Sequence, residues 1–305
     1  LEDLSNSQLE ELKTNKWVVI DPGKRVLLYM KDKDGNTMRY SNKQHVNNTK
    51  RLKYQHLLQN YRDNKNISTI ETELSNYNSK SCIYEKFKSF ITNKNRLNKI
   101  LLEKYQADIF RKYKWYSYIN RNKADSKLIK NIKHKYGKNT TLIMGDYSDK
   151  NCANKLKGCI STPNIRLKRK LAEHFKIYNL DEFRTSCLNH KTENKCDNMY
   201  LQDKKGTERK IHSILTYQTE SKRMGCINRD ENAVNNMIKI VNTFIKDRTR
   251  PEKFRRDYKF PEEQEIKEKP TEENKMKRLV KKKLIKDDNP NNRKKLLVSS
   301  DHLAR

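Results

Sequence analysis

Three carboxylates stand where apolar, strand-forming runs end or helices begin. Asp21 closes Trp17-Val18-Val19-Ile20 and is followed by Pro22-Gly23. Glu182 lies in Leu180-Asp181-Glu182-Phe183-Arg184-Thr185-Ser186, and Asp230 in Ile227-Asn228-Arg229-Asp230-Glu231-Asn232-Ala233. Acids on three separate elements that converge at one sheet edge suit phosphodiester cleavage by two Mg²⁺ ions. Such ions sit roughly 3.5–4 Å apart, activate the attacking water and stabilise the leaving oxygen. Mg²⁺ takes hard oxygen ligands and keeps several waters, so few carboxylates suffice. Each acid also has an ordinary use: Asp-Pro-Gly is a turn signal, Asp230 suits a helix cap, and Glu182 suits a solvated strand end. A second group is Cys187-x-x-His190, Cys196 and Cys226. Three Cys and one His form a set that tetrahedral Zn²⁺ accepts, though the spacing is irregular and small core cysteines are the alternative. A third group is the basic run Arg166, Lys168, Arg169 and Lys170, with Arg184. These residues suit phosphate contacts, which position nucleic acid without reading its sequence; a solvated helix face is the plain alternative.

The elements that must position these groups follow from periodicity. Residues 17–20, 26–30 and 36–40 predict three short antiparallel strands, with Asp34-Gly35 as the hairpin signal. Residues 41–140 predict a basic helical insertion. Its best stretch, 84–118, repeats Phe87, Phe90/Ile91, Leu97, Leu101, Tyr105, Ile109 and Tyr113 at three- and four-residue spacing. A strand follows at 141–146, then Ser161-Thr162-Pro163-Asn164 as a helix start, a helix over 165–175 and a strand over 176–183. An irregular Cys/His insertion spans 186–225, and a last helix runs from Asp230 to about residue 245. This order predicts an α/β fold: a mixed sheet with helices against it, of the RNase H-like (RuvC-type) kind, carrying a basic helical insertion and a degenerate zinc-finger-like insertion. Residues 1–16 look like the end of a preceding segment or linker, 17–249 like the domain, and 250–305 like a charged, disordered tail. Within that tail, residues 277–283 form a Lys-rich run of nuclear-import or nucleic-acid-binding type.

The chain has 305 residues, 69 Lys+Arg against 38 Asp+Glu, and a net charge of +31. Hydrophobic residues make up 33%, too few for one well-filled globule from end to end. No apolar stretch reaches membrane-spanning length. The charge calls for a polyanion, nucleic acid first and an anionic surface second, with a Lys- and Asn-biased genome supplying a share of the excess. Six Cys do not make a secreted disulfide framework, and no signal-peptide pattern opens the chain, so an intracellular setting is expected. The first residue, Leu1, suggests a fragment.

Four segments occur in one order: Gly145-Asp146-Tyr147-Ser148, Ser161-Thr162-Pro163-Asn164, 181–186 and 225–233. Together they resemble the RuvC nuclease half of the Fanzor proteins, eukaryotic and viral relatives of the transposon-encoded TnpB nucleases. Asn228-Arg229-Asp230-x-Asn232-Ala233 looks like the third RuvC motif and Asp21-Pro22-Gly23 like the first. The resemblance implies RNA-guided, Mg²⁺-dependent cleavage of DNA, with guide RNA and DNA as partners, in a nucleus or in a virus-infected cell. It implies Asp21 and Asp230 as the first and last metal ligands. The bacterial pattern puts the middle glutamate on the strand that here ends Met144-Gly145-Asp146. In the eukaryotic relatives that role moves to a later strand, which here carries Glu182, with Asp146 as the alternative. Asp181 is disfavoured because neighbouring strand residues face opposite ways. The family's guide- and target-binding domains mostly precede the first motif, and here only sixteen residues precede Trp17. A catalytically inactive nucleic-acid-binding remnant and a guide-independent recombinase- or resolvase-type nuclease are the alternatives.

Overall fold

β-branched and aromatic residues make Trp17-Val18-Val19-Ile20 a strand, and β1 (Trp17–Asp21) lies at the centre of a five-stranded sheet. The computed structural model describes residues 1, 4–146, 162–203, 206–219 and 221–260. β2 (Val26–Asp32) runs antiparallel to β1, and β3 (Thr37–Ser41) antiparallel to β2. The β2–β3 turn needs Gly35, whose φ of +90° disfavours any side chain. On the other side β4 (Thr141–Gly145) and β5 (Ile177–Leu180) are parallel to β1, giving the order β3-β2-β1-β4-β5. The fold is therefore mixed α/β on a mixed sheet.

Alternation along the strands divides the core into two layers. Val18, Ile20, Leu142 and Met144 pack with Leu128, Ile129 and Ile132 of α6 (Asp108–Tyr136) and with Leu167 and Leu171 of α7 (Asn164–Ala172). The opposite face meets α8 (Arg229–Asp247), which buries Ala233, Val234, Met237, Ile240 and Val241 and packs across β1 and β2. Lys31 of β2 belongs to that face, since its Nζ donates to Asn235 Oδ1 at 2.8 Å. Each fully buried aliphatic side chain in these layers contributes about 1.5–3 kcal/mol.

Residues 42–136 are mainly helical as expected, in α2 (Asn42–Thr49), α3 (Arg51–Asn64), α4 (Ile67–Glu73), α5 (Tyr84–Tyr105) and α6. The stretch 84–118 is not one helix. Ala107 breaks it with an extended ψ of 133°, and Asp108 opens the first turn of α6. Phe90 and Leu97 are buried while Phe87 and Ile91 remain exposed, so the packed stripe is narrower than the repeat implied.

Three other differences concern boundaries. The segment 1–16 is no linker: α1 (Asn6–Thr14) is closed by a Ser5–Gln8 capping box, packs on α8 and buries Leu9 and Leu12. The insertion after residue 186 is not irregular throughout, because β6 (Asp197–Gln202), β7 (Glu208–Gln218) and β8 (Met224–Asn228) form an antiparallel sheet. Much of that sheet is exposed, so its strands carry no clean apolar alternation. The chain divides into units 1–254 and 255–305, not at 250. Phe254 is fully buried in the first unit, and Arg250 donates to the Phe254 and Asp181 carbonyls. In the second unit the rings of Tyr258 and Phe260 meet edge to face at 5.2 Å. The Lys-rich run at 277–283, Ser161, Tyr147-Ser148, Cys152 and Cys159 lie outside the described residues. Among the described residues no helix is long and apolar enough to cross a membrane.

Candidate carboxylate site at the sheet edge

The parallel pairing Ile20↔Met144 carries Asp21 to the level of Gly145, at the carboxyl ends of β1 and β4. Both positions fall on the face that α8 covers. Glu182 arrives two residues beyond Leu180, the β5 partner of Gly145. Its carboxylate lies directly over Gly145: a Cβ built there would stand 1.5 Å from Glu182 Oε1. The missing side chain on β4 is therefore filled by the carboxylate of Glu182. Asp146, the alternative acid, is exposed and lies one residue on, where alternation turns it from that face. Asp181 is occupied elsewhere, accepting from the Phe183 backbone N–H at 3.0 Å.

Asp230 enters from the first turn of α8. It is not the helix cap. Asn228 takes that role, its Oδ1 accepting from the Asp230 and Glu231 N–H groups at 3.0 and 3.1 Å. The Asp230 carboxylate is thereby left for the site. It is close enough to Asp21 for their charges to interact. Burial and then the Asp230 charge push Asp21 up to about 7, and Arg229 opposes the shift. Asp230 is also raised, by burial, against Arg229 and Arg39.

The loop that delivers Glu182 is anchored by residues that spacing alone did not single out as structural. The Glu182 carbonyl accepts from Thr185 N and Oγ1 at 3.0 and 2.8 Å. Asn236, fully buried on α8, donates to the Thr185 and Leu188 carbonyls, both at 2.7 Å. Asn232 donates to the Leu188 carbonyl at 2.6 Å and accepts from His190 N. The helix that carries Asp230 thus also holds the turn that carries Glu182.

The basic residues divide by use. Arg166 is tied to the buried Asp125, and Arg184 stacks on Phe183 and donates to the Lys253 carbonyl at 3.2 Å. Both side chains are engaged within the fold. Lys170 pairs with Glu173 at 2.9 Å. Lys168 and Arg169 line a cleft of about 580 Å³ with Pro22, Gly145 and Asp146, on the α7 side of the sheet. Of the candidate zinc ligands, Cys187 and Cys196 are neighbours joined through a Cys196 N–H to Cys187 carbonyl bond of 2.8 Å. The Cys196 thiol is pushed up to about 11, by burial first and by Cys187 second. The His190 ring faces Asn232, and Cys226 is exposed on β8 opposite Thr216. Two thiols are half of the set that a tetrahedral Zn²⁺ takes.

Among the described residues no three His, Cys, Asp or Glu side chains gather closely enough to hold a metal ion by themselves. The Asp21–Asp230 pair nevertheless suits Mg²⁺, which needs one or two carboxylates and brings its own waters. A divalent cation would relieve the repulsion that, after burial, raises Asp21.

Metal-free stability depends on pH with a definite sign. From the ordinary carboxylate range up to about 7, folded Asp21 keeps a proton that the unfolded chain has lost. Its ionisation therefore destabilises the fold as pH rises through that window. Asp21 keeps part of its surface in solvent, so the effect is on the order of 3 kcal/mol. Melting curves of wild type and Asp21→Asn between pH 4 and 8, without divalent metal, are expected to diverge, with the variant gaining as pH rises. Parallel curves would contradict the raised Asp21.

No protein-family model matches the chain, and no curated protein matches it.

Proposed function

We propose that the chain is the RuvC-type, RNase H-like nuclease portion of a Fanzor-type, transposon-associated RNA-guided endonuclease, hydrolysing DNA phosphodiesters with Mg²⁺. The observation that carries this reading is the Asp21–Asp230 pair at one edge of a β3-β2-β1-β4-β5 sheet, with Glu182 seated over Gly145 on the neighbouring strand. Asp21 and Asp230 would hold the metal, with Glu182 as the third carboxylate. Bound Mg²⁺ supplies Lewis-acid activation of water and charge stabilisation at the leaving oxygen. The protein contributes placement. Asn228 fixes the first turn of α8, Asn232 and Asn236 fix the Glu182 turn, and Lys168 and Arg169 offer positive charge to the strand at the cleft. A Mg²⁺- or Mn²⁺-dependent cleavage assay on single-stranded DNA tests the proposal. Binding without cleavage by wild type would replace it with the inactive nucleic-acid-binding alternative.

A nucleic-acid partner is further supported by the outer half of α6. Trp115 and Tyr118, 59% and 53% exposed, stack at 5.5 Å with their rings 23° apart, on a helix that also carries Arg111, Lys112 and Lys114. Exposed aromatics among cations are stacking platforms for unpaired bases. The other tryptophan, Trp17, is 3% exposed, so contact quenching by a bound strand falls on Trp115 while Trp17 keeps emitting. Single-stranded DNA is expected to quench that emission, and Trp115→Ala to weaken binding about tenfold in a fluorescence-anisotropy titration. Unchanged affinity would remove α6 from the interface.

A further inference from the structure

The sheet register lines up a row across the carboxylate end: Asp21 pairs with Tyr29 and Tyr29 pairs with Arg39. Arg39 sits on β3, the edge strand, and among the described residues no further strand lies beyond it. Its guanidinium carbon lies 4.8 Å from the Tyr29 ring centroid, and its Nη2 donates to Tyr29 Oη at 3.1 Å. Tyr29 is only 1% exposed, so the platform beneath Arg39 is held by the core. Asp230 and Glu231 lie close enough to favour the guanidinium charge.

This cation is held in place yet little used. A guanidinium carries five N–H donors, and the bond found here takes one of them. Among the described residues Arg39 has no ion pair, whereas an arginine serving as a counter-charge closes a bidentate fork on its carboxylate. The other cations at this end are engaged: Arg229 donates to Ser186 Oγ at 3.3 Å and Lys31 to Asn235. Arg39 is also exposed, with its free donors open to solvent. An oriented guanidinium with open donors, beside acidic groups that suit a metal, matches a tetrahedral oxyanion in shape and charge.

We propose that Arg39, seated on Tyr29, is a phosphate-binding residue that grips a non-bridging oxygen of the nucleic-acid strand next to the Asp21–Asp230 carboxylates. The location beside a cutting centre rests on the nuclease reading; the phosphate contact itself does not. Tyr29 sets the plane of the fork, and Arg39 fixes where the strand crosses the sheet edge. Arginine is preferred over lysine here because a stacked, planar fork keeps its orientation, whereas an ammonium is a point charge on a flexible stem.

The test has two arms. The first measures affinity for a single-stranded oligodeoxynucleotide against salt, with Ca²⁺ in place of Mg²⁺. Loss of one phosphate contact lowers the slope of log affinity against log salt by about 0.7. Arg39→Ala is expected to show that drop, and Lys33→Ala, in the exposed β2–β3 turn, to keep the wild-type slope. The second arm measures single-turnover cleavage of strands that carry one methylphosphonate at successive positions. One position is expected to slow wild type about tenfold or more and to leave Arg39→Ala no slower than it already is. Arg39→Lys is expected to recover part of the rate, and Tyr29→Phe to lose part. A wild-type salt slope in Arg39→Ala overturns the proposal, as does an Arg39→Ala defect equal at every methylphosphonate position. If wild type fails to cut but the slope falls, the phosphate contact stands and the nuclease reading falls. If wild type cuts and no phosphate depends on Arg39, the reverse holds.

Discussion

Asp21→Asn and Asp230→Asn are each expected to lower Mg²⁺-dependent cleavage by about a thousandfold or more. The amide matches the carboxylate in shape but removes the anionic oxygen that a hard cation requires. For Asp21 the same change is expected to raise the melting temperature in metal-free buffer above pH 7. The native group pays there for ionising beside Asp230 in a half-buried site, and the amide does not. An activity lost while stability is gained marks a group kept for chemistry; an acid that merely closed a turn would give the opposite pair. Cleavage gels across a Mg²⁺ titration, with thermal melts of the same samples, check both signs. An Asp21→Asn chain that cuts like wild type would end the nuclease proposal.

The second large effect is expected at a residue with no functional group. Gly145→Ala places a methyl group 1.5 Å from Glu182 Oε1 and 2.4 Å from its Cδ, so the carboxylate must leave its seat. Side-chain rotation relieves most of that clash, so the fold survives. The chemistry does not, and cleavage is expected to fall about a hundredfold, close to the loss from Glu182→Gln. The backbone at Gly145 is level with Asp21, so a carboxylate supplied from β4 would reach the same edge. Gly145→Glu combined with Glu182→Ala is therefore expected to recover part of the activity that Glu182→Ala alone loses. Single-turnover rates of these variants, with Asp146→Asn beside them, decide the matter. Full activity in Gly145→Ala, or normal cutting by Glu182→Gln alongside inert Asp146→Asn, would move the middle role to Asp146.

Much of the sheet was legible in the chain. The runs at 17–20 and 26–30, the Asp34-Gly35 turn and the strand at 141 carry local signals of β-branching and φ > 0, and they appear within a residue or two of expectation. The sheet β6–β8 was illegible because its exposed strands impose no apolar pattern. The docking of α1 was not legible because two leucines decide it, too few to stand out in a polar segment. At the candidate site, the positions of the three acids at element ends were legible. Arg39 and Tyr29 were not, since nothing between residues ten apart signals that one will stack on the other.

By itself the sequence determined the kinds of groups present and the elements that carry them, because side-chain chemistry and periodicity are local properties. The tertiary structure alone decided how they are used. Whether Asp230 caps α8 depended on Asn228 being better placed to do so. That Arg166 pairs with a carboxylate depended on Asp125, 41 residues away and buried. Whether a glutamate serves β4 depended on an empty Cβ position at Gly145 facing a turn 37 residues later. Each of these turns on which donor or acceptor reaches a group first, and only the folded chain sets those distances.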